Sequence, residues 1–175
     1  METRRGPGRQ VFRGRALAVR VDPVWVRGRP ATREVVERVP AVAVVAEAAR
    51  RRLVVIRQWR WAVGEPLWEI PAGKIDAGEA ALTAAVRELQ EETGFLAGDC
   101  RPVLSMYPSP GYTTERIDLF YARDLRAGAP QPDEEEEIGV ELWDEDRIRR
   151  ALAAGEVRNA VTLLGLYWWL DQMRG

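Results

Sequence analysis

Three glutamates, Glu88, Glu91 and Glu92, stand at positions i, i+3 and i+4. On a helix that spacing projects their carboxylates from one face. Like charges so placed repel by about 0.2–0.5 kcal/mol per pair. No lysine follows any of them by four residues to compensate. The face therefore calls for a cation, and a hard divalent ion suits it. Mg²⁺ takes oxygen ligands octahedrally and commonly shares its shell with substrate phosphates and water. Several carboxylates on one face could hold more than one ion. Phosphoryl chemistry needs mainly positioning and charge stabilisation, which such a site supplies. A solvated acidic face on an amphipathic helix has the same local pattern, so the surrounding residues decide between the two.

The rest of the composition narrows the chemistry. The chain has 175 residues and no histidine. Ser–His and Cys–His nucleophile pairs and histidine-ligated zinc are thereby excluded. Proton transfer and metal binding must rest chiefly on carboxylates. Cys100 is the single cysteine, so no intramolecular disulfide forms. The net charge of -1 argues against broad nucleic-acid binding. Arginines crowd the first part of the chain, where a basic surface could face an anionic ligand. The apolar run Ala41–Ala46 is too short to span a membrane. Residues 1–10 are basic without an apolar stretch, so a secretory leader is not expected. The reading is a cytoplasmic, single-domain globular protein.

Strands and helices intermix along the chain. Residues 11–39 read as strands with a turn at Gly28-Arg29-Pro30, and residues 6–8 as part of a frayed end. Ala41–Ala46 suits a strand buried on both faces. Further strands are expected at Leu53–Arg57, Trp68–Ile70, Val103–Tyr107, Ile117–Ala122 and Ile138–Trp143. A helix is expected over Ala77–Thr93, with Asp76 and Glu79 as an acidic cap and Gly94 past its end. Leu82, Ala85 and Leu89 form its apolar stripe. Asp144–Ala154 and Asn159–Met173 read as terminal helices. Trp59 and Trp61 read as core residues, although either could stack on a base. The pattern predicts an α/β fold with a mixed sheet and helices packed on it.

The three acids belong to a longer pattern. Gly73 is followed by Glu79, and after seven residues by Arg87-Glu88-Leu89-Gln90-Glu91-Glu92-Thr93-Gly94-Phe95. This stretch resembles the Nudix box, the signature of the Nudix hydrolases, and every specified position matches. The resemblance implies an α/β/α sandwich and hydrolysis of a nucleoside diphosphate linked to another group. By motif position it makes Glu88, Glu91 and Glu92 metal ligands. Arg87 and Glu79 become a supporting pair between loop and helix.

Three features outside the box resemble the ADP-ribose pyrophosphatase branch: Glu69-Ile70-Pro71-Ala72-Gly73, Ser109-Pro110-Gly111, and the acidic run Asp133–Ile138. The branch implies a metal-binding backbone carbonyl at Ala72, a diphosphate-gripping arginine at Arg60, and a catalytic glutamate at Glu134 or Glu136. Arg57, Glu69 and Glu115 are further candidates for substrate contact, and Glu92 for catalysis as well as metal binding. A carboxylate from the acidic run could orient the attacking water. The expected cofactor is Mg²⁺, or Mn²⁺ or another divalent cation. The expected ligand is a nucleoside diphosphate sugar, without nucleic acid or membrane. The branch also implies a homodimer. Residues 1–10 would be a flexible terminus, 11–39 a dimer-forming strand segment, and 40–175 the hydrolase domain. The expected reaction turns ADP-ribose into AMP and ribose 5-phosphate. The alternatives are another nucleotide sugar, such as GDP-mannose or ADP-glucose, or a non-catalytic nucleotide sensor.

Overall fold

The structure is a computed structural model and describes residues 1–129 and 137–173. In chain order the strands are β1 (Glu2–Arg4), β2 (Arg9–Arg13), β3 (Ala18–Val26), β4 (Arg29–Glu37), β5 (Ala41–Ala48), β6 (Arg52–Arg60), β7 (Glu65–Glu69) and β8 (Ala72–Lys74), then β9 (Phe95–Leu96), β10 (Asp99–Met106), β11 (Ile117–Arg123), β12 (Arg126–Ala127) and β13 (Ile138–Trp143). The helices are α1 (Ala81–Thr93), α2 (Glu145–Ala153) and α3 (Ala160–Gln172). The chain divides into two compact units, residues 1–40 with 107–116, and residues 41–106 with 117 onward.

The first unit is a small antiparallel sheet. Strand β3 pairs with β4 along one edge and with β1 and β2 along the other. Gly6-Pro7-Gly8 is thus a break between two strands that share an edge, not part of a loose end as the composition suggested. Proline offers no amide to the ladder there. The Ser109-Pro110-Gly111 loop lies in this unit and is tied to the end of β4. Val36 N–H donates to the Tyr112 carbonyl at 2.7 Å, and Thr114 N–H to the Val36 carbonyl at 2.9 Å.

The second unit is an α/β/α sandwich around a mixed sheet of order β10-β11-β5-β6-β13, with β7 on β6 and β8 on β5. The β11–β5 pair is parallel and its neighbours are antiparallel. Residues Val42, Ala43, Val44, Val45 and Ala46 of β5 are all 0% exposed. A strand covered on both faces needs such an unbroken apolar run. Val42, Val44 and Val54 pack against Ala84, Ala85 and Leu89 of α1. Ala43, Val45 and Val55 pack against Ile148 of α2 and Leu166 and Trp169 of α3. Each Val, Leu or Ile side chain among them contributes about 1.5–3 kcal/mol when fully buried.

Helix α1 starts later than the sequence suggested. Gly78 sits at φ 82°, a left-handed conformation that no helix passes through, so the helix begins at Ala81 with Ala80 as its N-cap. The Asp76–Glu79 stretch forms a loop instead. The Asp76 N–H donates to Glu79 Oε2 at 3.1 Å. Leu82 is 46% exposed, so it leaves the expected stripe. The inward face carries Ala84, Ala85, Leu89, Glu92 and Thr93. Trp59 and Trp61 are exposed, 52% and 88%, and not in the core. Trp61 lies in the β6–β7 turn, beyond the cover of any helix.

Candidate active site

The buried side of α1 carries charge as well as apolar groups. Glu92 is 5% exposed, and its Oε2 accepts the backbone N–H of Ala72 in β8 at 2.9 Å. One turn earlier, the Glu88 carboxylate lies against Gly73. A Cβ on that glycine would overlap it, so any larger residue there must displace the Glu88 carboxylate. Strand β8 thus meets α1 through two carboxylates of the box.

Arg87 organises the other side of this cluster. Its Nε and Nη2 donate to the two oxygens of Glu79, each at 3.0 Å. Nη2 also donates to the Lys74 carbonyl at 2.9 Å. Nη1 donates to Glu88 Oε1 at 2.9 Å and to Glu91 Oε2 at 2.8 Å. These contacts engage all the N–H donors that a guanidinium carries. The Glu79 pair stands as the sequence suggested. The bonds to Glu88 and Glu91 do not, because that reading sought a base four residues after each acid, whereas Arg87 adjoins Glu88 and stands four residues before Glu91. The guanidinium is itself part of the cation that the acidic face required. It holds the Glu79 carboxyl below its ordinary value, with the Asp76 amide adding to that effect. Arg87 is in turn raised, first by its hydrogen bond to Glu79.

Among the described residues no three carboxylate or thiol side chains are gathered closely enough to hold a metal in this arrangement. Arg87 stands between Glu88 and Glu91, and Glu92 is turned to the β8 amide. The donor set is nonetheless of the hard-oxygen kind. Glu88 and Glu91 already direct one oxygen each at a single positive nitrogen, which stands where a cation is favoured.

A second charged group lies on the β6–β7 hairpin. Arg60 forms a two-pronged pair with Glu69, Nε to Oε1 at 2.8 Å and Nη2 to Oε2 at 2.7 Å. Glu69 is 3% exposed, so the fork compensates a buried carboxylate. Side chains alternate along β6. Val54 faces α1, which puts Ile56, Gln58 and Arg60 on that same side. Arg57 falls on the opposite side, its guanidinium 5.2 Å from the centre of the Trp68 ring. The structure therefore does not bring Arg57 together with Arg60. Glu115 belongs to the first unit, where it pairs with Arg38 at 3.1 Å. Glu134 and Glu136 lie outside the described residues.

Residues 37–163 match the family model described as the NUDIX domain. The chain belongs to the Nudix family of hydrolases. It is 31% identical over 163 residues to the ADP-ribose pyrophosphatase of Bacillus subtilis (strain 168), covering 91% of this chain and 88% of that protein. It is 34% identical over 157 residues to the ADP-ribose pyrophosphatase of Mycobacterium tuberculosis, covering 87% and 76%. A relative from Bacillus methanolicus, 37% identical over 134 residues and covering 75% of this chain and 72% of its own, is called a methanol dehydrogenase activator. Among solved structures, a crystal structure of an ADP compounds hydrolase superposes with a TM-score of 0.88 at 24% identity, over 99% of this chain and 95% of that one. That likeness bears on the fold, which is the Nudix sandwich expected from the sequence. The Nudix box is thus the β8–α1 unit, with Glu88 and Glu92 of α1 against β8 and Arg87 beside them. No helix among the described residues is long and apolar enough to cross a membrane.

Proposed function

We propose that this Nudix protein hydrolyses the diphosphate of ADP-ribose, with Mg²⁺ or another divalent cation, to AMP and ribose 5-phosphate. The observation that carries the reading is the complete box in three dimensions. Glu92 is buried against Ala72, half-buried Glu88 lies against Gly73, and half-buried Glu91 stands on the same helix. Carboxylates gathered at a partly buried helix face are costly unless a cation shares them. Relatives that match along most of their length are ADP-ribose pyrophosphatases, which supports the substrate.

In this reading Glu88, Glu91, Glu92 and the Ala72 carbonyl hold the cation. When bound, it supplies charge neutralisation at the phosphates and a more acidic water. Arg60 donates to the diphosphate from the side of the guanidinium away from Glu69. The buried carboxylate fixes that orientation, so little side-chain entropy is lost on binding. Glu134 or Glu136 orients the attacking water. The segment 11–39 is assigned to a homodimer contact. It exposes Phe12 and Trp25, at 55% and 40%. The enzyme is placed in the cytoplasm.

One relative, from Escherichia coli (strain K12), is called an ADP compounds hydrolase and is 32% identical over 152 residues. It favours a second reading, the same chemistry on a wider class of ADP-linked compounds. Product release from ADP-ribose, ADP-glucose and GDP-mannose, with and without Mg²⁺, separates them. AMP formation that needs metal and is fastest with ADP-ribose supports the first reading. Equal rates on ADP-ribose and ADP-glucose support the second. No cleavage of any of them overturns both.

A further inference from the structure

One buried polar group has no role in what precedes. Gln58 is 7% exposed on β6, and its Oε1 is sealed from solvent without a hydrogen-bond partner among the described residues. Buried amide oxygens are almost always satisfied, so an orphan asks for a donor that the described residues do not supply. Its place on the sheet says where that donor comes from. Gln58 stands opposite Leu67 of β7 and Ile138 of β13, both apolar. It shares its side of β6 with Arg60 and lies two positions away, about 7 Å along a strand. The terminal torsion of a glutamine is soft, so its amide can turn without moving the strand.

We infer that Gln58 is a specificity-determining residue whose amide oxygen accepts a hydrogen bond from a sugar hydroxyl flanking the diphosphate. The inference rests on the proposed diphosphatase reading. A carbonyl oxygen repels phosphate and selects a neutral donor. With Arg60 on the diphosphate, the groups about one sugar away are hydroxyls. A site built to accept a hydroxyl discriminates strongly against an analogue that lacks it. The sequence carried a signal. Gln58 is the first uncharged polar residue after Leu53-Val54-Val55-Ile56, on the side that Val54 and Ile56 keep apolar.

The test compares wild type with Gln58→Met, which keeps the volume and removes the acceptor. Three substrates are used: ADP-ribose, ADP ethyl ester, and the 2′,3′-dideoxyadenosine analogue of ADP-ribose. The first expected result is a KM for ADP-ribose raised about tenfold, with kcat within about twofold. The second is no change on the one analogue that lacks the bonded hydroxyl. Indifference to the ethyl ester assigns the distal sugar; indifference to the dideoxy analogue assigns the nucleoside ribose. An equal loss on all three substrates, or no loss on any, overturns the inference. The affinity of both proteins for ADP-ribose without metal is read by calorimetry alongside. Wild type that binds but does not cleave defeats the diphosphatase reading. The ratio of the two dissociation constants then decides Gln58 alone, with about tenfold weaker binding upholding it and equal binding overturning it. Wild type that neither cleaves nor binds overturns both.

Discussion

The carboxylate of Glu92 reaches back from α1 to accept the backbone amide of Ala72, 2.9 Å away. A side chain needed for chemistry is thereby also a tie between helix and strand. Glutamine in its place keeps the shape and one acceptor oxygen but loses the negative charge. Glu92→Gln should fold with a melting temperature near that of wild type. Its kcat should fall by about 100- to 1000-fold if the charge serves the reaction. Steady-state kinetics with thermal melts check both halves. Near-normal turnover in a folded variant would remove Glu92 from the mechanism.

The contact between Gly73 and Glu88 makes a sharper test, because two changes should partly cancel. Gly73→Ala places a methyl group on the Glu88 carboxylate. It should cost about 1–3 kcal/mol of stability, the usual range for overpacking. Truncating the acid as well, in Gly73→Ala/Glu88→Ala, clears the space. The double variant should therefore be more stable than the sum of the two single effects. Urea melts of the four proteins give the coupling. Strict additivity would mean that the loop moves aside instead.

Much of this site was legible because the box is a local pattern. Its acids share one helix, and a spacing of three and four residues places them on one face whatever else surrounds them. The doubly buried run Ala41–Ala46 of β5 was legible for a similar reason, since its apolar residues break period-two alternation. What escaped depends on neighbours distant in sequence or on single backbone angles. Gly78 has an ordinary loop composition, and only its φ stops the helix short of Asp76. Leu82 reads as core by spacing, but it stands in the first turn of α1 and is exposed, whereas Ala85 and Leu89 on the same stripe are buried. Arg57 and Arg60 look equivalent in sequence. Strand alternation separates them, because three residues is an odd step.

Arg87 links acid stability to the box. Its hydrogen bonds lower the Glu79 carboxyl from the ordinary value of 4.5. A carboxyl lowered in the folded state adds stability that is full above its unfolded value. That stability is lost as pH falls through the folded value. Glu79→Gln should therefore melt below wild type near neutral pH. The gap should narrow as pH falls below about 4.5, where wild type begins to lose its own ion pair. Melting curves across that range decide the matter. A gap that stays constant would show that Glu79 acts through packing and not through charge.

A last prediction concerns the far side of the sheet, where one carboxylate oxygen joins three elements. Glu47 Oε2, on β5, accepts from the Tyr121 hydroxyl of β11 at 2.8 Å and from Trp169 Nε1 of α3 at 2.6 Å. Burial, with the neighbouring Glu47 adding to it, pushes the Tyr121 phenol up to about 12 from its usual 10.0. The folded state thus holds the proton more tightly than the unfolded chain does. The resulting stability is fully present below about pH 10 and is lost as pH rises toward 12. Tyr121→Phe removes the bond and leaves Glu47 with one donor fewer. It should lower stability by about 1 kcal/mol near neutral pH. Its difference from wild type should shrink above about pH 10. Activity on the proposed substrate should hold, because this oxygen lies on the α2–α3 side and the box on the α1 side. If turnover fell with stability unchanged, the two faces of the sheet would have to be coupled through β5.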